Sequence, residues 1–176
     1  MARPKILVTR LWPEAVEARL SKTYDVTLDP GDAILSVADL AKAAQDYDAI
    51  LPTVTDRIGA EVFAGGGRLR ILGNYGVGYS HIDTAAAKAA GVVVTNTPDV
   101  LSDCTADIAM MLILMAARRA GEGERFLRAG KWTGWKPGHL VGKKVTGATL
   151  GIVGFGRIGQ ALAHRAHHGF GMRVLV

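Results

Sequence analysis

At 176 residues the chain is long enough for one good core or two small ones. Its 49% hydrophobic and 21% charged residues, with few aromatics, fit an ordinary soluble α/β protein. The net charge of +5 comes from Lys and Arg scattered without a basic run or interleaved aromatics, which gives no sign of a nucleic-acid partner but suits an anionic cofactor or substrate. The one cysteine, Cys104, excludes an internal disulfide and fits a reducing compartment. With no CxxC or histidine partner near it, Cys104 reads as a small buried or half-buried residue rather than a nucleophile. Met1-Ala-Arg-Pro-Lys5 leads straight into a strand pattern instead of a signal-peptide apolar region, and the most apolar run, Ile108 to Ala117, is half the length needed to span a bilayer. The expectation is a cytoplasmic protein with no membrane partner.

In chain order, Ile6 to Thr9 reads as a short β-branched strand, followed by a helix from Pro13 through Leu20. Tyr24 to Leu28 is a second strand, ended by Asp29-Pro-Gly31. Ser36 is placed to cap a helix with apolar positions Val37, Leu40, Ala41 and Ala44. Ala49 to Pro52 is a third strand, Gly59 to Ala64 a short helix, Leu69 to Gly73 a fourth strand, Thr84 to Ala90 a helix stopped by Gly91, and Val92 to Thr95 a fifth strand. Such alternation predicts an α/β fold with a parallel, doubly wound sheet.

At Asn96-Thr-Pro-Asp99 the pattern changes. Ser102 or Asp103 is placed to cap a long helix, Thr105 to about Arg119, whose nearly continuous apolar face predicts burial between two layers or domains. The domain boundary therefore falls near residue 98, giving domains 1–98 and 99–176. A polar helix over Gly121 to Ala129 leads into an irregular arm, Gly130 to Gly147, that carries Trp132 and Trp135. Those tryptophans suit either a subunit or domain contact or anchoring to the chain's own surface.

Beyond the arm, Thr149-Leu-Gly-Ile-Val-Gly-Phe-Gly-Arg-Ile-Gly-Gln160 reads as a buried strand, a glycine turn and a helix, with a further strand at Met172 to Val176. Gly154, Gly156 and Gly159 have the G-x-G-x-x-G spacing of a dinucleotide-binding turn. In that reading Gly154 makes the tight turn, Gly156 lets a pyrophosphate approach the backbone, and Gly159 lets helix and strand pack closely. The N–H groups around Arg157 and Ile158 face the phosphates. A whole dinucleotide domain needs about six strands, and the residue that reads the ribose is expected about 20 positions on. The expectation is an N-terminal piece of a longer polypeptide, with uncovered sheet edges and helix faces.

Four runs stand in register: Asn74-Tyr-Gly-Val-Gly-Tyr-Ser-His-Ile-Asp83, Gly91-Val-Val-Val-Thr-Asn-Thr-Pro98, Thr105-Ala-Asp-Ile-Ala109 and Gly154-Phe-Gly-Arg-Ile-Gly159. Together they resemble the D-isomer-specific 2-hydroxyacid dehydrogenases. Gly121-Glu-Gly-Glu-Arg125 and Lys131-Trp-Thr-Gly-Trp-Lys136 resemble the glyoxylate and hydroxypyruvate reductase branch. The resemblance implies a flavodoxin-like substrate domain, then a Rossmann domain for NAD or NADP, incomplete here, with the active site in the cleft between them. It assigns the substrate carboxylate to backbone N–H groups of Gly76, Val77 and Gly78, and a second substrate-side loop to Leu51 and Thr53. Two glycines leave backbone amides free to converge on an anion, although a tight strand-to-helix turn would also use them.

On the cofactor side the resemblance assigns Thr105, otherwise readable as a helix-start hydroxyl, and the turn Gly154, Phe155, Gly156, Arg157, Ile158 and Gly159. Arg157 could add a charge-assisted contact. It assigns Trp132 and Trp135 to an arm over 120–147 that wraps the partner of a homodimer. The implied chemistry is hydride transfer between NAD(P)H and C2 of a small 2-oxo or 2-hydroxy acid, with a cation polarising the carbonyl and a carboxylate-oriented histidine moving the proton. In the family that arginine, acidic residue and histidine lie downstream of the fingerprint, so they are expected beyond Val176 and no turnover is expected of this chain alone. His164, His167 and His168 read as helix-end or surface residues, His81 and His139 as local hydrogen-bonding ones, and no metal site is expected. The competing readings are a dinucleotide-sensing scaffold similar to corepressors of this fold and a truncated product without function.

Overall fold

Parallel neighbours need a crossover connection, and the alternating strands and helices provide one at each step. The computed structural model describes residues 2–176, and all seven strands among them pair in parallel. The chain divides into two compact units between Pro98 and Asp99.

In the first unit the elements are β1 (Lys5–Val8), α1 (Glu14–Thr23), β2 (Asp25–Thr27), α2 (Val37–Asp46), β3 (Ala49–Leu51), β4 (Ile71–Gly73), α3 (Thr84–Ala89) and β5 (Val93–Thr95), with a 3-10 turn at Ala60–Val62. The strand order β2-β1-β3-β4-β5 is flavodoxin-like. The chain leaves β1 toward one edge and returns on its other side at β3, so the switch point lies between the carboxyl ends of β1 and β3, where such sheets form their binding crevices. Leu40, Ala43 and Ala44 of α2 pack on Leu7, Ile50 and Leu72 of the sheet, and Ile58, Val62 and Ile82 close the same core. Ser36 caps α2 reciprocally with Asp39, as its position predicts. Pro13 stands one position earlier than predicted, as the N-cap of α1. Its ψ of 128° is extended, and Glu17 turns back to accept from the Trp12 N–H.

The second unit contains α4 (Ser102–Ala117), α5 (Ala120–Arg128), β6 (Thr149–Gly151), α6 (Arg157–Phe170) and β7 (Arg173–Leu175). The β6-α6-β7 unit is a Rossmann-type beginning, two parallel strands joined through a helix. Its small core joins Met110 of α4, Val145, Ala166 of α6 and Met172. Gly171, at φ +59°, caps α6, and the His167 ring meets the Met172 carbonyl at 3.1 Å, the helix-end role expected of it.

Three expectations for α4 fail. Neither Ser102 nor Asp103 caps it; Leu101 occupies the N-cap with no side-chain bond, and Asp103 is drawn sideways to Arg165 of α6. Cys104 is exposed, because it lies in the first turn away from the α6 contact. The helix is buried only at Ala106 and Met110, while Ile108, Met111, Leu112 and Met115 are exposed, since only the face toward α6 and Val145 has a partner among the described residues. The clamp on that face is Arg165, whose guanidinium reaches Asp103 at 3.0 Å and Asp107 at 2.6 Å, one turn apart on α4.

Arg10, just past β1, ties the loops of the first unit. Its Nε and Nη2 donate to the two oxygens of Asp32 at 2.7 and 3.0 Å, and the Leu11 N–H adds a third bond at 2.9 Å. Arg10, then the Leu11 amide, lower the Asp32 carboxyl from 3.8 to about 2. A depressed folded value stabilises the fold above the unfolded value and ceases to do so as pH falls through the folded one. The urea midpoint of the wild type should therefore fall more steeply than that of Asp32→Asn between about pH 4 and about pH 2, and parallel curves would refute this role.

Candidate functional site

At the carboxyl edge of the first sheet, buried polar side chains hold the connections. Thr9 follows β1 and donates through Oγ1 to Asp56 Oδ2 at 2.6 Å; the same oxygen accepts from the Thr53 N–H at 2.8 Å. Asp56 is fully buried and so joins the β1 and β3 ends across the switch point. Leu51 ends β3, with its carbonyl accepting from the Thr9 N–H at 3.3 Å, and Thr53 extends the ladder toward Tyr75 by an isolated bridge. The ring of Tyr75 lies 4.8 Å from that of Trp12, an aromatic wall beside this edge.

The loop Gly76-Val77-Gly78 follows directly. Its carbonyls are all tied back into the protein. Gly76 O accepts from the Thr97 N–H at 3.0 Å and from Asn74 Nδ2 at 3.1 Å. Gly78 O also accepts from Asn74 Nδ2, at 2.9 Å, and Val77 O accepts from Asn96 Nδ2 at 2.9 Å. Among the described residues no acceptor is found for the N–H groups of Val77 and Gly78. Carbonyls turned inward and amides left free make a concavity suited to an anion. A Cβ on Gly76 would lie 2.8 Å from Val54 Cγ1, whereas none would meet anything within 4 Å at Gly78, where the approach is open.

Sequence reading did not single out Asp56, Asn74 or Asn96 as site residues. Asn74 heads the recognised run, and its short carboxamide just past a strand is the signal that could have found it. His81, expected to have a local hydrogen-bonding role, meets Asn74 Oδ1 through Nε2 at 3.0 Å, and burial pushes its pKa down, against the pull of Asp56. His139 makes no side-chain hydrogen bond among the described residues; its ring packs 4.6 Å from Phe126 and 5.7 Å from Trp132, because the arm folds over α5.

In the second unit Gly154 has φ +92°, a value that side chains resist, so glycine is required at the turn. Gly156 is the N-cap of α6, and a Cβ there would meet nothing within 4 Å. A Cβ on Gly159 would stand 2.4 Å from the carbonyl oxygen of Gly154, so helix and turn are in contact at that point. The first amides of α6, at Arg157, Ile158 and Gly159, have no acceptor among the described residues, and that end of the helix is exposed. The Arg157 guanidinium is paired with Asp99 at 2.5 Å, so its charge is already engaged. Phe155 is exposed beside the turn, and Thr105 is exposed in the first turn of α4. These residues fit a pyrophosphate through main-chain N–H groups, the open face at Gly156 being the approach that a diphosphate needs. Trp132 and Trp135 lie on the arm, the latter 79% exposed. No group of three or more metal-ligating side chains occurs among the described residues.

The sequence profile of the D-isomer specific 2-hydroxyacid dehydrogenase catalytic domain matches residues 6–170. The chain belongs to this family. The glyoxylate reductase of Thermococcus kodakarensis is 46% identical over 177 residues, covering 98% of this chain and 53% of the relative. The glycerate dehydrogenase of Hyphomicrobium methylovorum is 43% identical over 175 residues, covering 99% and 54%. Among solved structures, the TT0316 protein of Thermus thermophilus superposes with a TM-score of 0.89 at 43% identity, covering 97% of this chain and 54% of that one. The NADPH-dependent glyoxylate/hydroxypyruvate reductase of Sinorhizobium meliloti gives 0.76 at 34% identity, covering 98% and 53%. The chain thus spans about half the length of the relatives and solved structures it matches.

The contact at Gly159 makes a direct prediction. Gly159→Ala forces a methyl group against backbone that cannot step aside, and should destabilise the second unit by about 1–3 kcal/mol in urea unfolding. A loss below about 0.5 kcal/mol would show that the turn yields.

Proposed function

We propose that the chain supplies the anion-binding elements of an NAD(P)-dependent oxidoreductase acting on a small 2-oxo or 2-hydroxy acid, of the glyoxylate or hydroxypyruvate reductase type. Residues up to Pro98 form its substrate domain and those from Asp99 its nucleotide domain. The observation that carries this reading is the loop at 76–78, with every carbonyl satisfied internally and the amides of Val77 and Gly78 free. Those amides receive the carboxylate that all candidate substrates share, and Leu51 and Thr53, at the carboxyl end of β3, form the second substrate-side loop. In the second unit the turn at Gly154, Phe155 and Gly156 and the α6 amides of Arg157, Ile158 and Gly159 hold the pyrophosphate, and Thr105 approaches the cofactor. The names of the relatives, glyoxylate reductase and glycerate dehydrogenase, support the substrate class.

When bound, the nicotinamide supplies or accepts the hydride at the C2 carbon of the acid. This chain's residues orient the carboxylate and the diphosphate. In this reading His81 is not the proton donor, because its Nε2 is committed to Asn74. Residues 1–176 alone should therefore bind NADH, followed by nicotinamide fluorescence, yet show no glyoxylate-dependent NADH oxidation above the buffer blank. Measurable turnover would overturn the division of labour proposed here. Gly156→Ala, whose methyl group points into open space, should weaken NADH binding at least about tenfold while costing no more than about 1 kcal/mol in stability. Unchanged binding would remove the turn from the cofactor site.

The uncovered face of α4 and the arm are proposed as a homodimer contact. Ile108, Met111, Leu112 and Met115 are exposed together with Trp132 and Trp135, and a cavity of about 830 Å³ beside α4 is lined by Met110, Met111, Leu114, Met115 and Phe170. Exposed methionines, aliphatic side chains and tryptophans have the composition of an interface core. Sedimentation equilibrium should give a dimer for the wild type and a monomer for Leu112→Glu, and a monomeric wild type would refute the contact.

A further inference from the structure

Among the described residues the His81 side chain reaches the carboxylate loop through its bond to Asn74, and the geometry of that relay is fixed at both ends. The Asn74 backbone is held to β5 by its N–H bond to the Thr95 carbonyl at 3.0 Å, and its side chain is buried. The His81 backbone is held separately. Its carbonyl accepts from the Ile58 N–H at 2.9 Å, and the neighbouring Ile82 pairs with Ile58 in an isolated bridge, both isoleucines lying in the core. The imidazole is thus a post anchored apart from the loop, and the Asn74 carboxamide spans the distance from post to loop.

The direction of each bond follows from chemistry. Carbonyls at Gly76 and Gly78 can only accept, so the group of Asn74 that faces both must be the NH₂. Its oxygen then faces His81, and Nε2 must carry the proton of that 3.0 Å bond. One carboxamide turned the other way would set its oxygen against two carbonyl oxygens and leave the loop without its inward ties. The His81 N–H satisfies the oxygen in the orientation in which those ties form and so holds the carboxamide there, and the ties leave the Val77 and Gly78 amides without an internal acceptor among the described residues.

We propose that His81 is a positioning residue for carboxylate capture, acting through the orientation of the Asn74 carboxamide. The proposal rests on the reading of Gly76–Gly78 as the carboxylate loop. It assigns to this histidine a role in substrate affinity without contact with the substrate and without proton transfer. It also separates His81 from Asn96, which holds only the middle carbonyl, that of Val77.

The test is a titration of the ¹⁵N-labelled chain with oxamate, a compact carboxylate resembling a 2-oxo acid, read at the amide resonances of Val77 and Gly78. Three chains are compared: wild type, His81→Leu, which removes the donor, and His81→Gln, which keeps an N–H donor on a flexible stem. The oxamate Kd should rise about five- to tenfold in His81→Leu and stay within about twofold of wild type in His81→Gln. Hydrogen exchange without ligand supplies the structural control. The Asn74 side-chain protons should lose protection in His81→Leu while the backbone amides of Ile50 and Leu72 keep theirs. Equal affinity in His81→Leu and wild type, or a His81→Gln chain as weak as His81→Leu, would overturn the role of His81. A wild-type chain whose Val77 and Gly78 amides ignore oxamate would instead overturn the carboxylate reading itself, and this proposal with it.

Discussion

A buried carboxamide has two donors and an acceptor, and leaving any of them unpaired costs on the order of 1–3 kcal/mol. The edge of the first sheet is arranged around that constraint at Asn74. Its NH₂ takes two carbonyls of the following loop, its oxygen takes His81, and the backbone of the loop has then no freedom to turn its own amides inward. The sheet order sets up the problem: with β3, β4 and β5 side by side, the chain emerges from three successive strands on one edge, and each emergence exposes backbone groups that need partners. Asp56 at the β1 and β3 ends, Asn74 after β4 and Asn96 after β5 answer that need with short polar side chains. Left without an acceptor at the loop, among the described residues, are the N–H groups of Val77 and Gly78.

The second unit reaches a similar surplus by a different route. No side chain caps α6; Gly156 stands at the N-cap and the first helical amides remain free. The close approach of Gly159 to the Gly154 carbonyl fixes where those amides point, since it leaves no room there even for a Cβ, which would stand 2.4 Å from that oxygen. In the first unit polar side chains define the backbone with free amides, whereas in the second the absence of side chains does so. Substitutions at the two places should therefore fail differently, by unsatisfied polar groups at Asn74 and by steric overlap at Gly159.

The sheet and the glycine turn were legible because their signals are local. Strand and helix periodicity, the Ser36 cap and the spacing of Gly154, Gly156 and Gly159 each involve residues within one or two turns of chain. The loop at 76–78 was legible by its resemblance and by its glycines. Asp56, which bonds Thr9 across 47 positions, was not, because a single sequence carries no record of which distant polar groups share a bond; for His81 the local bond was expected, but its partner, Asn74, was not named. The burial expected of Cys104 and of the whole circumference of α4 failed for a related reason. Hydrophobicity states what a helix is suited to bury against, and the partner has to come from elsewhere in the protein or from another chain.

On α4 that suitability coexists with a polar clamp. Asp103 and Asp107 lie one turn apart and both grip Arg165, so this stripe of the helix is fixed to α6 by charge, while Ala106 and Met110 beside it are fixed by burial. Exposed ion pairs contribute little to stability singly, but a bidentate arrangement is selective in geometry, because only one rotation of α4 about its axis presents both carboxylates to one guanidinium. That rotation decides which apolar residues stay outside. With Asp103 and Asp107 turned to α6, the side carrying Ile108, Met111, Leu112 and Met115 is left free. The charged stripe thus does for the apolar face what Asn74 does for the loop: by satisfying one set of groups inside the unit, it determines which set is presented outside it.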